Sequence, residues 1–406
     1  MKWIAFVILI IGIVLVAGCT SPSQPVTTPA TITATPATTP SATATATTVA
    51  PALPNLLGTW NGTSVGFSWT GSEYQAYNDT LVVKVTGQDG YLFTGVLSFP
   101  EANGTQVTKE FAGALDADAK GIALIEYPGG FTNGVILSAD AIEMVFRDQA
   151  APSTIAVDAL RRSAPAPAMA VPPAMPDLLG IWNGTSVGSS WTGSEYQVST
   201  LPLTMKVTGQ NGRLFSGEIS YQGANGTEVV KEFAGALSPD GKEIATIEYP
   251  DGFCDGTIVS ADEIELVFLD ETNPSMVTID TFWRTKAPSS VAANPMANLV
   301  GNWTGTSIGY MRNASGYERI YGVLTMKVIG QDDRSFTGQV AYVVDGTPVT
   351  KDFAGVIARD GQTIATVEYP GGFGDGTIIS ADEIRLIFRD EAEPSTISVD
   401  SFRRTK

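Results

Sequence analysis

Hydrophobic and polar residues alternate along most of the chain, in short runs that end at turn residues. In residues 81–86 (LVVKVT), Leu81, Val83 and Val85 recur at every second position. A period of two is typical of a β-strand with one buried face. Further strands are predicted over residues 106–115, 121–127, 134–138, 141–147 and 153–162. Because no stretch keeps the helical apolar period of about 3.6 residues for long, the chain is predicted to be all-β.

This pattern of strands and turns occurs three times along the chain. The segment around Trp60 returns around Trp182 and Trp303, 122 and then 121 residues further along. Repeats of this length are the size of self-contained domains, whereas solenoid repeats of about 20–50 residues lack a core of their own. We therefore expect three modules that each fold independently. They are assigned to residues 54–162, 177–286 and 298–406, with Pro- and Ala-rich linkers at residues 163–176 and 287–297.

Each module holds eight short strands joined by tight turns such as Asp89-Gly90 and Asn211-Gly212. Such a pattern favours an up-and-down antiparallel sheet, and closing that sheet into a barrel removes its exposed edges. The predicted fold is thus three tandem eight-stranded antiparallel barrels, each filled by side chains or holding one small ligand. An immunoglobulin-like sandwich is the rival fold, but it uses longer crossings than this hairpin-after-hairpin order.

A Gly-x-Trp on the first strand and a basic residue at the end of the last resemble the lipocalin and avidin-like superfamily of barrels. In that superfamily the basic side chain closes over the tryptophan at one barrel end. The matching pairs are Trp60 with Arg162, Trp182 with Arg284, and Trp303 with Arg404. Module length resembles the avidin-like members. The tryptophans that line the biotin pocket of avidins have no equivalents on the later strands, so biotin is not the expected ligand.

The N-terminal residues predict that the protein is located outside the cell. The apolar run 3–17 is shorter than the roughly 20 residues of a membrane span, and it leads into Val16-Ala17-Gly18-Cys19, which resembles the lipobox of prokaryotic lipoproteins. Residues 1–18 are therefore predicted to be a lipoprotein signal peptide. The resemblance implies that Cys19 becomes the lipid-modified N-terminus and anchors the protein to the membrane. A plain secretory signal or an uncleaved anchor is the alternative.

Residues 19–53 are predicted to form a disordered stalk. They consist mostly of Thr, Ala, Pro and Ser without a charged residue, and such sequence has little to bury and is typical of glycosylated stalks. Asn-x-Ser/Thr sequons agree with an extracellular location. Candidate glycosylation sites are Asn61, Asn78, Asn103, Asn183, Asn225, Asn302 and Asn313.

Composition argues against catalysis. The chain has no histidine, so a Ser-His-Asp or Cys-His arrangement cannot be built, and zinc lacks its commonest nitrogen ligand. No phosphate-binding glycine loop and no strand–helix unit for a dinucleotide is visible. We expect no enzyme activity, no catalytic residue, no metal and no cofactor. The formal net charge of −18 argues against nucleic acid as a partner.

Two sets of polar residues are kept in all three copies. Lys109, Lys231 and Lys351 stand two residues before a phenylalanine, and Glu126, Glu248 and Glu368 stand before Tyr-Pro. They predict either exposed cross-strand ion pairs or charged pairs at a barrel mouth that contact a polar ligand.

Aromatic residues also recur in the segment after the first strand, which is predicted to be a long loop. In ligand-binding barrels this loop covers the open end, and aromatic side chains there stack on sugars or cover apolar ligands; the alternative is that they cap the core. The candidate ligand-covering residues are Trp69, Tyr74, Trp191, Tyr196, Tyr310 and Tyr317.

Two functions therefore stay open. The first is a cell-surface lipoprotein whose barrels bind a small molecule or an envelope glycan without catalysis. The second is a structural spacer or adhesion protein of the cell envelope with no small-molecule ligand. An open cavity inside any one module would favour the first.

Overall fold

A computed structural model describes residues 53–100, 104–116, 118–148, 153–162, 174–223, 226–270, 275–284, 296–344, 346–390, 392 and 395–405. The predicted signal peptide, Cys19 and residues 19–52 of the predicted stalk lie outside these ranges, as do Asn103 and Asn225. Within the described ranges no helix is long and apolar enough to cross a membrane.

Every regular element in the described ranges is a β-strand, with eight strands in each module. Barrel 1 consists of β1 (Gly58–Trp69), β2 (Tyr74–Asp89), β3 (Leu92–Pro100), β4 (Gln106–Leu115), β5 (Gly121–Tyr127), β6 (Phe131–Ser138), β7 (Ala141–Asp148) and β8 (Thr154–Arg162). Barrel 2 consists of β9 (Gly180–Trp191), β10 (Tyr196–Asn211), β11 (Leu214–Gln222), β12 (Glu228–Leu237), β13 (Glu243–Tyr249), β14 (Phe253–Ser260), β15 (Glu263–Asp270) and β16 (Met276–Trp283). Barrel 3 consists of β17 (Gly301–Asn313), β18 (Gly316–Asp332), β19 (Ser335–Val344), β20 (Thr347–Ile357), β21 (Thr363–Tyr369), β22 (Phe373–Ser380), β23 (Glu383–Asp390) and β24 (Thr396–Arg404).

Each strand pairs antiparallel with the next, and the last strand of each module pairs with the first, so all three sheets are closed barrels. In barrel 1 the closing register places Trp60 opposite Arg162. The predicted fold class, three tandem eight-stranded antiparallel up-and-down barrels, is confirmed. The strands form because a closed sheet buries every second, apolar side chain in its interior, away from water. Closure also leaves no strand edge unpaired.

The inward faces form a separate apolar core in each barrel. In barrel 1, Trp60, Phe93, Phe111 and Leu160 belong to this core. Gly95 lies among them, and a Cβ at this position would collide with the carbonyl oxygen of Lys84 and the ring of Phe111. The glycine is therefore required for the close approach of strand and ring that the sequence pattern suggested.

The outward faces hold the three barrels together. Ile155 and Val157 on β8 of barrel 1 pack against Ala234 and Ile247 of barrel 2, in an apolar cluster separate from either barrel core. The corresponding face of barrel 2 packs against β20 and β21 of barrel 3. Barrel 3 in turn packs against β4 and β5 of barrel 1. The three interfaces therefore use equivalent surfaces in a cyclic order and close into a ring.

Three phenylalanines, one from each barrel, meet where the interfaces converge. The ring centroids of Phe131 and Phe253 are 4.6 Å apart, and each lies 5.0 Å from that of Phe373. The sequence repeat suggested three separate modules and gave no expectation of these contacts. The barrels instead share buried apolar surface that each would expose on its own.

Candidate functional site

In each barrel the tryptophan and the arginine that the resemblance paired lie in contact. The guanidinium of Arg162 lies 4.4 Å from the centre of the Trp60 ring, within the range of a cation–π contact. The buried indole nitrogen of Trp60 donates a hydrogen bond to the carbonyl oxygen of Leu56 at 2.9 Å. The equivalent distances are 4.4 Å for Arg284 over Trp182 and 4.2 Å for Arg404 over Trp303.

The segment predicted as a ligand-covering loop is a hairpin of two long strands. Trp69 is the last residue of β1 and Tyr74 the first of β2, so only residues 70–73 connect them. The predicted loop is wrong in this respect. The two strands pair without interruption up to Trp69 and Tyr74.

The aromatic residues of this hairpin lie against the neighbouring barrel. The ring of Trp69 stacks on Tyr249 of barrel 2 at 4.4 Å, and Trp191 stacks on Tyr369 of barrel 3 at 4.5 Å. Tyr196 belongs to the apolar cluster between barrels 2 and 3. The others, Tyr74, Tyr310 and Tyr317, lie in the remaining two interface clusters. Their contacts in the structure are thus with protein, and their role in covering a ligand stays a prediction.

Barrel 1 contains a cavity of about 500 Å³ that is open to solvent, at the end opposite Trp60. Ser68, Thr70 and Gln75 of the hairpin line its outer part. The charged side chains that line the cavity are Asp79, Lys109, Glu126, Asp148 and Asp158. Of the two sets of residues kept between copies, Lys109 and Glu126 are thus placed at the cavity.

Lys109 and Glu126 form an ion pair inside the barrel, with the ammonium nitrogen 3.4 Å from a carboxylate oxygen. The side chains are only 12% and 6% exposed, so the pair is not the surface pair that the sequence left open. Lys109 also donates to the carbonyl oxygen of Gly129 at 3.0 Å. Burial raises the pKa of Glu126 to about 8, although the charge of Lys109 opposes this rise. Equivalent pairs join Lys231 to Glu248 at 3.4 Å and Lys351 to Glu368 at 3.5 Å.

Asp158 on β8 is a further buried carboxylate that lines the cavity. Burial raises its pKa to about 7, and a hydrogen bond with Ser64 works against this rise. Its oxygen Oδ1 is buried and has no hydrogen-bond partner. Sequence reasoning missed Asp158, although an acidic residue on the apolar strand of residues 154–160 that is kept as Asp280 and Asp400 was a usable signal.

In barrels 2 and 3 the equivalent carboxylate accepts a hydrogen bond at the oxygen that has no partner in barrel 1. The hydroxyl of Thr278 donates to Oδ1 of Asp280 at 2.8 Å, and the hydroxyl of Ser398 donates to Oδ1 of Asp400 at 2.8 Å. Barrel 1 has Ala156 at this position, which cannot donate a side-chain hydrogen bond.

Two polar positions that line the cavity of barrel 1 are apolar in barrel 2. Leu201 and Met276 stand where barrel 1 has Asp79 and Thr154, and both pack against the core of barrel 2. The polar lining and the unpartnered carboxylate oxygen therefore distinguish barrel 1 from its neighbour.

Among the described residues, no group of three or more His, Cys, Asp or Glu side chains is arranged to hold a metal ion. Cys254, which stands alone at its repeat position, is buried in the core of barrel 2 and forms no disulfide. Of the candidate glycosylation sites in the described ranges, Asn61, Asn78, Asn183, Asn302 and Asn313 are all exposed.

No protein-family model matches the chain. No curated protein matches it either. Among solved structures, a protein of unknown function from the DUF3598 family of Nostoc punctiforme aligns over 56% of this chain and 96% of its own, at 14% identity and a TM-score of 0.26. Isotype 1 transferrin binding protein B from serogroup B Neisseria meningitidis aligns over 87% of this chain and 78% of its own, at 12% identity and a TM-score of 0.22. A putative outer membrane protein from Bacteroides fragilis aligns over 86% of this chain and 98% of its own, at 10% identity and a TM-score of 0.16. At these identities and TM-scores, the similarities carry no argument about what this chain binds.

Proposed function

We propose that this protein is an outward-facing, lipid-anchored surface protein that binds a small ligand in the cavity of barrel 1 without catalysis. The observation that carries the proposal is the cavity itself. Its volume of about 500 Å³ lies within the range of about 300–1,000 Å³ that is typical of small-molecule sites. A barrel that served only as a spacer would gain stability by filling such a space with side chains.

The composition of the lining supports binding over packing. Buried ionisable groups are costly unless they are paired or serve a purpose, and strongly perturbed pKa values are frequent at functional sites. The cavity holds two such groups, Glu126 and Asp158. The lack of histidine in the chain supports retention of a ligand in preference to acid–base or nucleophilic catalysis.

The location outside the cell is proposed on the sequence. It rests on the predicted signal peptide, the lipobox-like sequence that ends at Cys19 and the predicted uncharged stalk. The exposure of Asn61 and Asn183 is compatible with glycosylation at these sequons. A structural spacer in the envelope is the second candidate, and the aromatic contacts between barrels favour it because they use the hairpin residues for assembly.

The first prediction tests the cavity by filling it. Asp79→Leu combined with Thr154→Met copies the residues of barrel 2 into barrel 1, so the variant should fold and lose the space and polarity of the site. Ligand-observed NMR with a fragment library should give ligands that bind the wild-type protein and not this variant. The control is Val82→Leu, at an exposed outward position of β2, which should leave binding unchanged.

Two results would contradict the proposed function. One is that no fragment binds to the wild-type protein. The other is that the same fragments bind equally well to the variant with the filled cavity, which would place them elsewhere on the protein.

A further inference from the structure

We infer that the cavity of barrel 1 binds the ring of a neutral carbohydrate, whose hydroxyl groups donate to Asp79 while one face of the ring lies against Phe99. The inference rests on the proposed function and adds the chemical class of the ligand. Two independent observations carry it: a half-buried carboxylate that the other two barrels lack, and an aromatic side chain on the adjacent strand.

The carboxylate is that of Asp79 on β2. Leu81, Val83 and Val85 of this strand belong to the barrel core. Asp79 stands on the same alternating face, so its side chain points inward, where it lines the cavity. The side chain is half-buried, and among the described residues none pairs with it or donates a hydrogen bond to it. A carboxylate only accepts hydrogen bonds, and its two oxygens can serve two neighbouring hydroxyl groups at once.

This carboxylate is found in barrel 1 alone. The equivalent positions hold Leu201 in barrel 2 and Gly322 in barrel 3. Tyr77, the next residue on the same inward face, also lines the cavity, and Ser199 and Ile320 replace it in the other barrels. A structural role common to all three barrels therefore does not account for the polar groups at this height of barrel 1.

The aromatic side chain is that of Phe99 on β3, the strand that pairs with β2. Val83 pairs with Leu97. From this pair the two antiparallel strands run together towards the mouth of the cavity, with Asp79 on one and Phe99 on the other. Phe99 lines the cavity and is half-buried, so part of its ring stays uncovered. The C–H face of a sugar ring is apolar and packs on an aromatic face, while the hydroxyl groups around the ring reach polar partners.

Gln75 adds an uncharged partner at the mouth of the cavity. Its exposed side chain lines the cavity on the same face of β2 as Asp79. The amide supplies two N–H donors and a carbonyl acceptor, so it can hydrogen-bond to a hydroxyl group in either direction. Carboxylate, amide and aromatic ring together match a ligand that carries several hydroxyl groups on an apolar ring.

The other classes of ligand fit this lining less well. An anion finds no free cation, because Lys109 is the one basic side chain among the described lining residues, and it contacts Glu126 and the carbonyl oxygen of Gly129. Burial raises the pKa of Glu126 to about 8 and that of Asp158 to about 7, so at pH 6 both are mostly protonated and add little attraction for a cation. A purely apolar ligand would leave the carboxylate and the amide without partners.

The experiment compares three probes built on a six-membered ring: methyl β-glucopyranoside, cyclohexanol and cyclohexylammonium. NMR titration of the protein at pH 6 should give an affinity for the glucoside at least about tenfold above that for the other two, because only the glucoside uses the carboxylate, the amide and the aromatic ring together. Saturation-transfer difference spectra should show the strongest transfer to the C–H protons of one ring face, the face that lies on Phe99. The methyl glycosides of galactose and N-acetylglucosamine repeat the measurement for other arrangements of the hydroxyl groups.

Variants test the two side chains separately. Asp79→Asn keeps the shape of the side chain, removes its charge and should lower the affinity for the tightest glycoside by about tenfold. Phe99→Leu should lower it by about the same factor and remove the preference for one ring face. Phe99→Tyr, which places the residue of barrels 2 and 3 at this position, keeps the aromatic ring and should retain binding. Glu73→Gln removes an exposed charge from the β1–β2 hairpin and should leave the affinity unchanged.

Tighter binding of cyclohexanol or cyclohexylammonium than of every glycoside would overturn the carbohydrate. If that binding is lost in Asp79→Leu with Thr154→Met, the cavity stays the binding site. Unchanged glycoside affinity in Asp79→Asn or in Phe99→Leu would overturn the carbohydrate as well, and if Phe99→Leu fails to fold, Asp79→Asn decides. Failure of the proposed function differs from these outcomes, because all probes and fragments would then fail to bind or would bind equally to the filled variant.

Discussion

At the scale of single residues, the buried carboxylates are the most informative side chains of this protein. In each barrel, one glutamate and one aspartate at equivalent positions are buried and have a strongly raised pKa. Burial raises the pKa of these groups to about 8 for Glu126, about 7 for Asp158, Glu248 and Glu368, and about 6 for Asp280 and Asp400. All six values lie above the values near 4 that these groups have in an unfolded chain.

We expect the protein to become less stable as the pH rises from about 5 to about 8. A carboxyl group with a raised pKa in the folded state holds its proton there after the unfolded chain has lost it, so the folded state binds more protons in this window. Stability then falls with rising pH, and it falls until the folded pKa has been passed. Thermal unfolding at several pH values and constant ionic strength measures how the stability changes with pH.

Variants separate this effect from the general self-repulsion of a chain with a net charge of −18. Glu126→Gln together with Asp158→Asn should flatten the slope, whereas Glu73→Gln, which removes one exposed charge, should hardly alter it. An equal effect of both changes would show that the interior groups are not responsible.

The sequence predicted part of the candidate site at this scale. Lys109 and Glu126 stood out because they are kept between copies, and the structure places them together at the cavity. The unpartnered oxygen of Asp158 could not be predicted, because it depends on which strand closes against β1 and which side chain stands two residues earlier. An acceptor without a donor is a property of the assembled barrel and not of one position.

At the scale of elements, the strands divide into those with one buried face and those with two. The residues of β5 form a nearly continuous apolar run. Ile122 and Leu124 belong to the core of barrel 1, while Ala123 and Ile125 belong to the interface with barrel 3. Runs of this kind are typical of strands that are buried on both faces. The apolar run of β5 therefore indicated a strand that is buried on both faces, whereas the period of two in other strands predicted burial of one face only.

Strand positions were largely predictable, since turn residues and the period of two are local signals. The observed β4 and β5 have the predicted bounds, whereas β6 begins at Phe131 in place of the predicted residue 134. Phe131 extends the strand and packs with the two equivalent phenylalanines of the other barrels. Its place in the fold is set by a contact across more than a hundred residues of chain, which no local pattern encodes.

The β1–β2 hairpins and their equivalents give a prediction for the interfaces. Trp191 is 8% exposed and stacks on Tyr369 of the next barrel. Trp191→Ala should lower the free energy of unfolding by about 3 kcal/mol, as for other buried aromatic residues. Tyr321→Ala, at a position of barrel 3 that is 69% exposed, should change it by less than about 0.5 kcal/mol. Denaturant unfolding measures both, and equal effects would mean that the stacked contact contributes nothing to stability.

At the scale of the whole molecule, three similar barrels form a closed ring whose interfaces are not identical. Glu143 of barrel 1 contacts Arg213 of barrel 2 at 2.5 Å, and Glu265 of barrel 2 contacts Arg334 of barrel 3 at 2.6 Å. At the third interface the equivalent positions hold Arg385 and Tyr91, which form a cation–π contact at 5.6 Å.

The stacked aromatic pairs vary in the same way. Where barrels 1 and 2 carry Trp69 and Trp191, barrel 3 carries Arg312, whose guanidinium lies 3.5 Å from the centre of the Tyr127 ring. Interfaces between unlike surfaces generate rings when the rotation closes. The distinct third interface therefore specifies which barrel follows which, because exchange of two barrels would place like charges opposite one another.

The last prediction follows from this arrangement. An isolated barrel 2, produced as residues 174–284, carries both halves of a matched interface: Trp191 and Glu265 on one face, Tyr249 and Arg213 on the other. Three copies could therefore reproduce the ring without linkers, and we expect analytical ultracentrifugation to show a concentration-dependent trimer. An isolated barrel 3, residues 296–405, should stay monomeric, because its own faces would bring Arg385 against Arg334, and like charges at an interface cost several kcal/mol. Arg385→Glu recreates the pair of the other two interfaces and should shift barrel 3 towards the trimer. A barrel 2 that stays monomeric at every concentration would contradict this prediction. It would show that the apolar faces associate too weakly by themselves, and that the linkers between barrels are required for the ring to form.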